Sequence, residues 1–157
     1  MGRSSDARRP IDIGAHGEIS LRAGPEAGVV VRCHDREVTR SVLIVDDHEG
    51  FRSWTRALLE AEGYAVIGEA SDGTSAIGAV RDRRPDLVLL DVMLPDMSGL
   101  VVARRLSELA EPPSVILVSS RDRADFGDQI ERSTALGFIS KPDLNGPRLR
   151  AVLGDAT

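Results

Sequence analysis

From Ser41 almost to the C-terminus, apolar residues come in short unbroken runs that alternate with stretches of helical spacing. Val42 to Val45 is such a run and ends in Asp46-Asp47. Phe51, Trp54, Leu58 and Leu59 then recur at the spacing of an amphipathic helix until Gly63 stops it. Tyr64 to Ala70 reads as a second strand, Gly73 to Arg83 as a second helix, and 84–91 as a third strand. Leu87 to Leu90 are apolar on both alternating faces, as a central strand covered by helices on both sides must be. Pro95 and Ser98-Gly99 turn the chain, and Ser98 is placed to cap a third helix running to Ala110, closed by Pro112-Pro113. Ser114 to Ser120 makes a fourth strand, Asp122 to Leu136 a fourth helix, and Gly137 to Ser140 a short fifth strand. Leu144 to Leu153 makes a last helix with Pro147 in its first turn.

Strands that alternate with helices through right-handed crossovers form a doubly wound α/β fold, here a five-stranded parallel sheet with expected order 2-1-3-4-5. Open sheets of this kind bind ligands outside the carboxyl ends of their strands. In that order the first, third, fourth and fifth strands are neighbours, so Asp46, Asp47, Asp91, Ser119 and Lys141 arrive at one crevice. Phe51 and Trp54 are expected in the core. His48 is expected to face solvent or the first helix, without a chemical role.

Composition narrows the picture. The 157 residues hold one ordinary domain and leave no room for a second large one. With 25 acidic against 20 basic residues the formal charge is −5, which argues against nucleic-acid binding by bulk electrostatics. Cys33, the single cysteine, has no internal disulfide partner, and no run approaches the ~18 apolar residues of a membrane span. Arg3, Arg8 and Arg9 are not followed by the apolar segment of a secretory signal. A cytoplasmic location without membrane contact is the default.

Residues 1–40 lack sustained periodicity apart from Val29 to Val31, a short candidate strand. They are expected to be a disordered tail or an over-long gene start, with the folded domain at 41–153 and a short tail at 154–157. His16, Cys33 and His34 are metal-ligating residue types, but their spacing matches no recognised site.

Three carboxylates in one crevice raise one another's pKa unless a cation is present. Asp46, Asp47 and Asp91 with Lys141 sum to a charge that one divalent ion cancels, and Mg2+ prefers such oxygen donors. An aspartate beside that ion can attack a phosphoryl group, while Lys141 and the Ser119 hydroxyl hold its oxygens. Each feature alone has a plainer meaning: a strand-ending Asp often starts a turn, and Ser119-Ser120 suits a helix cap. Their joint arrival at four strand ends favours phosphoryl chemistry. A flavin site would need a glycine- and hydroxyl-rich loop after the first strand, where Asp46-Asp47-His48-Glu49 repels phosphate. An aspartate phosphatase would want a second acid two residues after the nucleophile, where Met93 stands.

Residues 41–153 resemble the receiver domain of two-component response regulators. The match is carried by Asp46-Asp47, by Asp91 with Pro95 and Gly99, and by Ser119, Phe138 and Lys141-Pro142. Asp46 to Arg52 is most similar to receivers of the nitrate-response type. The resemblance implies a flavodoxin-like fold in which Asp91 takes a phosphoryl group from a sensor histidine kinase or phosphotransfer protein. By the same likeness Asp47 binds Mg2+ directly, Asp46 binds it through water, and the Met93 backbone carbonyl is a further ligand. Ser119 and Phe138 would act as the switch pair. Such a domain is not an enzyme beyond its own phosphorylation and slow dephosphorylation. Only a short stretch follows Lys141, so a stand-alone regulator signalling in trans to an unidentified protein is expected, with homodimerisation left open. The alternative is a degenerate receiver that only docks partners. The complete acidic set, Ser119 and Lys141 argue against it.

Overall fold

The computed structural model describes residues 39–154 and, ahead of them, the backbone of three strands: β1 (Ile11–Asp12), β2 (Glu18–Ala23) and β3 (Val29–Cys33). The chain divides into two units at Thr39/Arg40. In the first, β1, β2 and β3 pair antiparallel in that order, with Ile19 opposite Cys33 and Ala23 opposite Val29. One strand was expected here, at Val29 to Val31. Its neighbour β2 has apolar residues only at alternate positions, too weak a pattern to stand out without a partner.

The second unit is a five-stranded parallel sheet built from β4 (Ser41–Val45), β5 (Ala65–Ala70), β6 (Leu87–Asp91), β7 (Ser114–Ser119) and β8 (Gly137–Ser140). Its order is β5-β4-β6-β7-β8, the expected 2-1-3-4-5 arrangement. The continuous apolar runs follow from helices on both faces. Val42 and Ile44 of β4, Leu87 and Leu89 of β6, and Ile116 and Val118 of β7 pack in one core with Leu59 and Leu149. Leu43, Val45, Val88, Leu90, Val115 and Leu117 point the other way and pack with Ile77, Val80, Val102 and Leu106. Each of these side chains contributes roughly 1.5–3 kcal/mol when fully buried, so both faces anchor the strands whose ends carry the polar residues.

Helix α1 is Glu49–Ala61, α2 is Gly73–Arg83, and α3 is Gly99–Ser107. Ser98 caps α3 as expected, its Oγ accepting from Leu100 N at 3.2 Å. Gly99 is required there: a Cβ at this position would lie 2.1 Å from the Asp91 carbonyl oxygen. Trp54 is not core, being 50% exposed. The buried stripe of α1 runs through Thr55 and Leu59, and Trp54 falls one step outside it.

The expected helix from Asp122 to Leu136 is not continuous. A 3-10 turn at Arg123–Phe126 and a single-turn α4 (Gln129–Arg132) take its place. Gly127 between them sits at φ +58°, outside the right-handed helical region, and the Ser133 hydroxyl donates back to the Ile130 carbonyl at 2.5 Å to end α4. Helix α5 (Gly146–Leu153) starts from Asn145, whose Oδ1 accepts from Arg148 N at 2.8 Å, with Pro147 in the first turn. Among the described residues, no helix is long and apolar enough to cross a membrane.

Candidate functional site

Four strand ends converge on one crevice at the carboxyl edge. Asp46 follows β4, its N–H continuing the ladder to the Ala70 carbonyl at 3.0 Å, and this holds its side chain fully buried. Asp91, the last residue of β6, is 2% exposed, and Ser119, the last of β7, is fully buried. Lys141 follows β8 and extends its amine back over the sheet edge, 2.6 Å from Asp46 Oδ2 and 3.1 Å from Asp91 Oδ2. The Lys141 ammonium also lies over the ring of Phe51, 4.4 Å from its centroid.

Local turns aim the carboxylates. Asp91 Oδ1 accepts from Met93 N at 3.0 Å, a tight turn that fixes the carboxylate plane. Asp46 Oδ1 accepts from His48 N at 2.8 Å, and Arg52 of α1 donates to the Asp46 carbonyl at 2.7 Å. Asp96, in the loop after Asp91, accepts from Gly73 N at 2.7 Å and Thr74 N at 3.0 Å, stapling that loop to the start of α2. Those bonds, the Gly73 one foremost, hold the Asp96 carboxyl down at about 2.

The electrostatics split the two buried acids. Burial lifts Asp91, and the Asp46 charge adds to it against the opposing Met93 N–H and Lys141, so Asp91 reaches about 6. Burial pushes Asp46 upward too, but the Lys141 ammonium and the His48 N–H outweigh it and leave its pKa below the ordinary value. Lys141 is pulled down by burial and held up more strongly by both carboxylates, so its pKa is raised. One ammonium therefore suffices to ionise Asp46 but not to keep Asp91 at an ordinary acidity.

The residues fit a hard divalent cation. Asp46, Asp47, His48 and Asp91 each offer a donor atom, all within 4.8 Å of one another. Asp46 Oδ2 is buried without a hydrogen-bond partner of good geometry, balanced only by the ion pair to Lys141. Asp47, 38% exposed, would complete an oxygen set open to solvent on one side.

Of the residues singled out in sequence, Asp46, Asp47, Asp91 and Lys141 come together. Ser119 stands at the adjoining strand end, its Oγ accepting from Arg121 N at 3.1 Å. Met93 enters through its backbone while its side chain points outward, 49% exposed. Phe138 lies away from the carboxylates, half-buried, edge-on to Phe126 at 5.8 Å between centroids. Sequence reasoning missed the contacts of His48, whose Nδ1 lies 3.2 Å from Asp46 Oδ1 and 3.0 Å from Asp47 Oδ1. It also missed Asp96 and the place of Phe51 beneath Lys141. Their signals were present only as a histidine beside an acidic pair and an acid two residues before Ser98.

Comparison with known proteins gives this geometry a context. The family model described as response regulator receiver domain matches residues 42–153. The chain is 44% identical over 103 residues to the DNA-binding response regulator MtrA of Mycolicibacterium paratuberculosis, covering 64% of this chain and 44% of that protein. It is 36% identical over 106 residues to a protein-glutamate methylesterase/protein-glutamine glutaminase of Hahella chejuensis, covering 68% of this chain and 30% of that protein. It thus spans less than half the length of either relative. In structure it is similar to the signal receiver domain of the response regulator NarL from Mycobacterium tuberculosis, with TM-score 0.66 and 33% identity over 74% of this chain and 94% of that one. The match to the family model runs through the whole of the five-stranded unit with its 2-1-3-4-5 order and covers well over half of the sequence, so the chain belongs to the response regulator receiver domain family.

Proposed function

We propose that Asp91 is the phosphoacceptor of a two-component relay, taking its phosphoryl group from a sensor histidine kinase or a phosphotransfer protein. The observation that carries this reading is the Lys141 ammonium bridging Asp46 and Asp91 at 2.6 and 3.1 Å within a cluster of carboxylates. An Asp91 oxygen attacks the phosphorus, the new O–P bond forms as the bond to the donor nitrogen breaks, and the freed imidazole takes up a proton. Lys141 is placed to balance charge on the phosphoryl oxygens, and Ser119 can donate its hydroxyl to one of them. Asp46, Asp47 and Asp91, with the Met93 carbonyl, would hold Mg2+, which supplies further charge neutralisation when bound. Because its pKa is about 6, Asp91 is already largely ionised near neutral pH, as a nucleophile must be.

The downstream partner in this proposal is a protein that reads the face around Phe138, and the exchange takes place in the cytoplasm. Incubation with Mg2+ and acetyl phosphate, followed by intact-mass measurement, tests the reading. A gain of one phosphoryl group that requires Mg2+ and is lost on chelation supports it. An unchanged mass with Mg2+ and acetyl phosphate would instead indicate a module that docks partners without phosphorylation.

A further inference from the structure

The loop between Asp91 and α3 carries Met93, and it is held from outside as well as from within. At its base Val92 N donates to the Val118 carbonyl at 2.9 Å, Gly99 N donates to the Val92 carbonyl at 2.7 Å, and Met93 pairs with Ser98 in an isolated antiparallel bridge. Toward its tip Leu94 and Met97 pack against the core, contacts that hold a segment down without fixing its direction. The directional tie is Asp96, whose carboxylate accepts from Gly73 N at 2.7 Å, from Thr74 N at 3.0 Å and from the Thr74 hydroxyl at 2.8 Å. Those two N–H groups belong to the four that a helix leaves unpaired at its start. Helix α2 caps a third with its own Asp72, whose Oδ1 accepts from Ser75 N at 2.7 Å, but for the first two it depends on a residue 23 positions from Gly73. Gly73 lets the loop come this close, since a Cβ there would stand 2.5 Å from Met97 Cγ. Ile77 and Val80 bury α2 against the sheet, so the helix is the fixed partner and the loop is the part being placed.

We propose that Asp96 is a positioning residue for the cation site, anchoring the loop on the first turn of α2 so that the Met93 carbonyl is held ready for Mg2+. This rests on reading the crevice as the Mg2+ site with that carbonyl among its ligands. A ligand offered by a loose loop must be ordered each time the ion binds, whereas an anchored loop has met that cost in advance. Asp96 touches neither the ion nor the phosphoryl group in this proposal and acts only through the loop.

The test is calorimetric titration of the full chain with MgCl2 in wild type, Asp96→Ala, Asp96→Asn and Asp72→Ala. Asp72→Ala removes a cap from the same turn of α2 while leaving the loop anchored, so it reports what damage to the helix alone does. The expected result is an Mg2+ affinity about tenfold weaker in Asp96→Ala, partly restored in Asp96→Asn, which keeps one acceptor oxygen, and unchanged in Asp72→Ala. An affinity that Asp96→Ala leaves unchanged overturns the inference, and so does an equal loss in Asp72→Ala, which would make Asp96 a helix cap and nothing more. Should Asp96→Ala not fold, the comparison of Asp96→Asn with Asp72→Ala decides on the same terms. Failure of the underlying reading is separately visible, because wild type itself would then take up no Mg2+, and the inference would fall with it.

Discussion

Lys141 Nζ lies 3.1 Å from Asp91 Oδ2, joining two strand ends that stand 50 residues apart in sequence. The contact exists because β7 alone separates β6 from β8, so a long side chain leaving β8 can cross one strand and reach the carboxylate. It leaves Asp91 partly neutralised and buried, a state with measurable consequences for stability.

Metal-free Asp91→Asn should be more stable than wild type at pH 7. The folded-state pKa of Asp91 is raised from 3.8 to about 6, so the folded protein binds this proton more readily than the unfolded chain. The penalty for ionised Asp91 is fully present above about pH 6 and is relieved as pH falls from there toward the unfolded value of 3.8. Asn carries no such penalty. The variant should gain roughly 1–2 kcal/mol at pH 7, less than the full shift because the crevice opens to solvent. Urea melts in EDTA at pH 7 and pH 4.5 would show the gap narrowing at the lower pH. A gap that does not change with pH would contradict the assignment of the raised pKa to Asp91.

Trp54 should report events at the crevice. It is the only tryptophan in the chain, its ring lies 6.1 Å from that of Phe51, and Lys141 sits over Phe51. Adding Mg2+ should produce a saturable change in tryptophan emission as Lys141 shifts on the Phe51 face. Asp47→Ala should weaken the response at least several-fold, and Phe51→Leu should mute it without abolishing Mg2+ binding by calorimetry. A full response in Asp47→Ala would remove that residue from the ligand set.

The sheet order and the four strand ends were legible because burial on both faces demands unbroken apolar runs, and turn residues punctuate each one. Asp72, whose side chain accepts from Ser75 N, and the left-handed Arg84 close α2 at the residues where the pattern placed its ends. The fourth helix was misread because Ile130 kept a helical spacing to Phe126 while Gly127 between them took up a conformation no helix allows. Trp54 was misread because a small polar residue, Thr55, holds the buried position on α1 that an aromatic was expected to fill. The roles of His48 and Asp96 depend on turns that bring acids and backbone N–H groups together, and no periodicity records those.

Ser119→Ala should still accept phosphate on Asp91 but lose most of the change that phosphorylation imposes on Phe138. In the unphosphorylated protein Ser119 Oγ accepts from Arg121 N, and Phe138 packs edge-on to Phe126. A phosphoryl group offers the hydroxyl a stronger acceptor, and its movement would free space for the Phe138 ring. Coupling between such sites is typically ~1–3 kcal/mol, so the active face should be biased roughly tenfold to a hundredfold and not gated absolutely. Amide spectra of both proteins with a beryllium fluoride mimic are the check. Identical shifts at Phe126 and Phe138 in wild type and variant would rule the coupling out.

The central claim is that Asp91 carries the phosphoryl group, and borohydride trapping tests it most directly. After incubation with Mg2+ and acetyl phosphate, reduction converts an aspartyl phosphate to homoserine, which peptide sequencing locates. Homoserine at position 91, and its disappearance in Asp91→Asn, is the predicted result. Homoserine at Asp46 or Asp47, or at no aspartate in a protein that binds Mg2+, would contradict it.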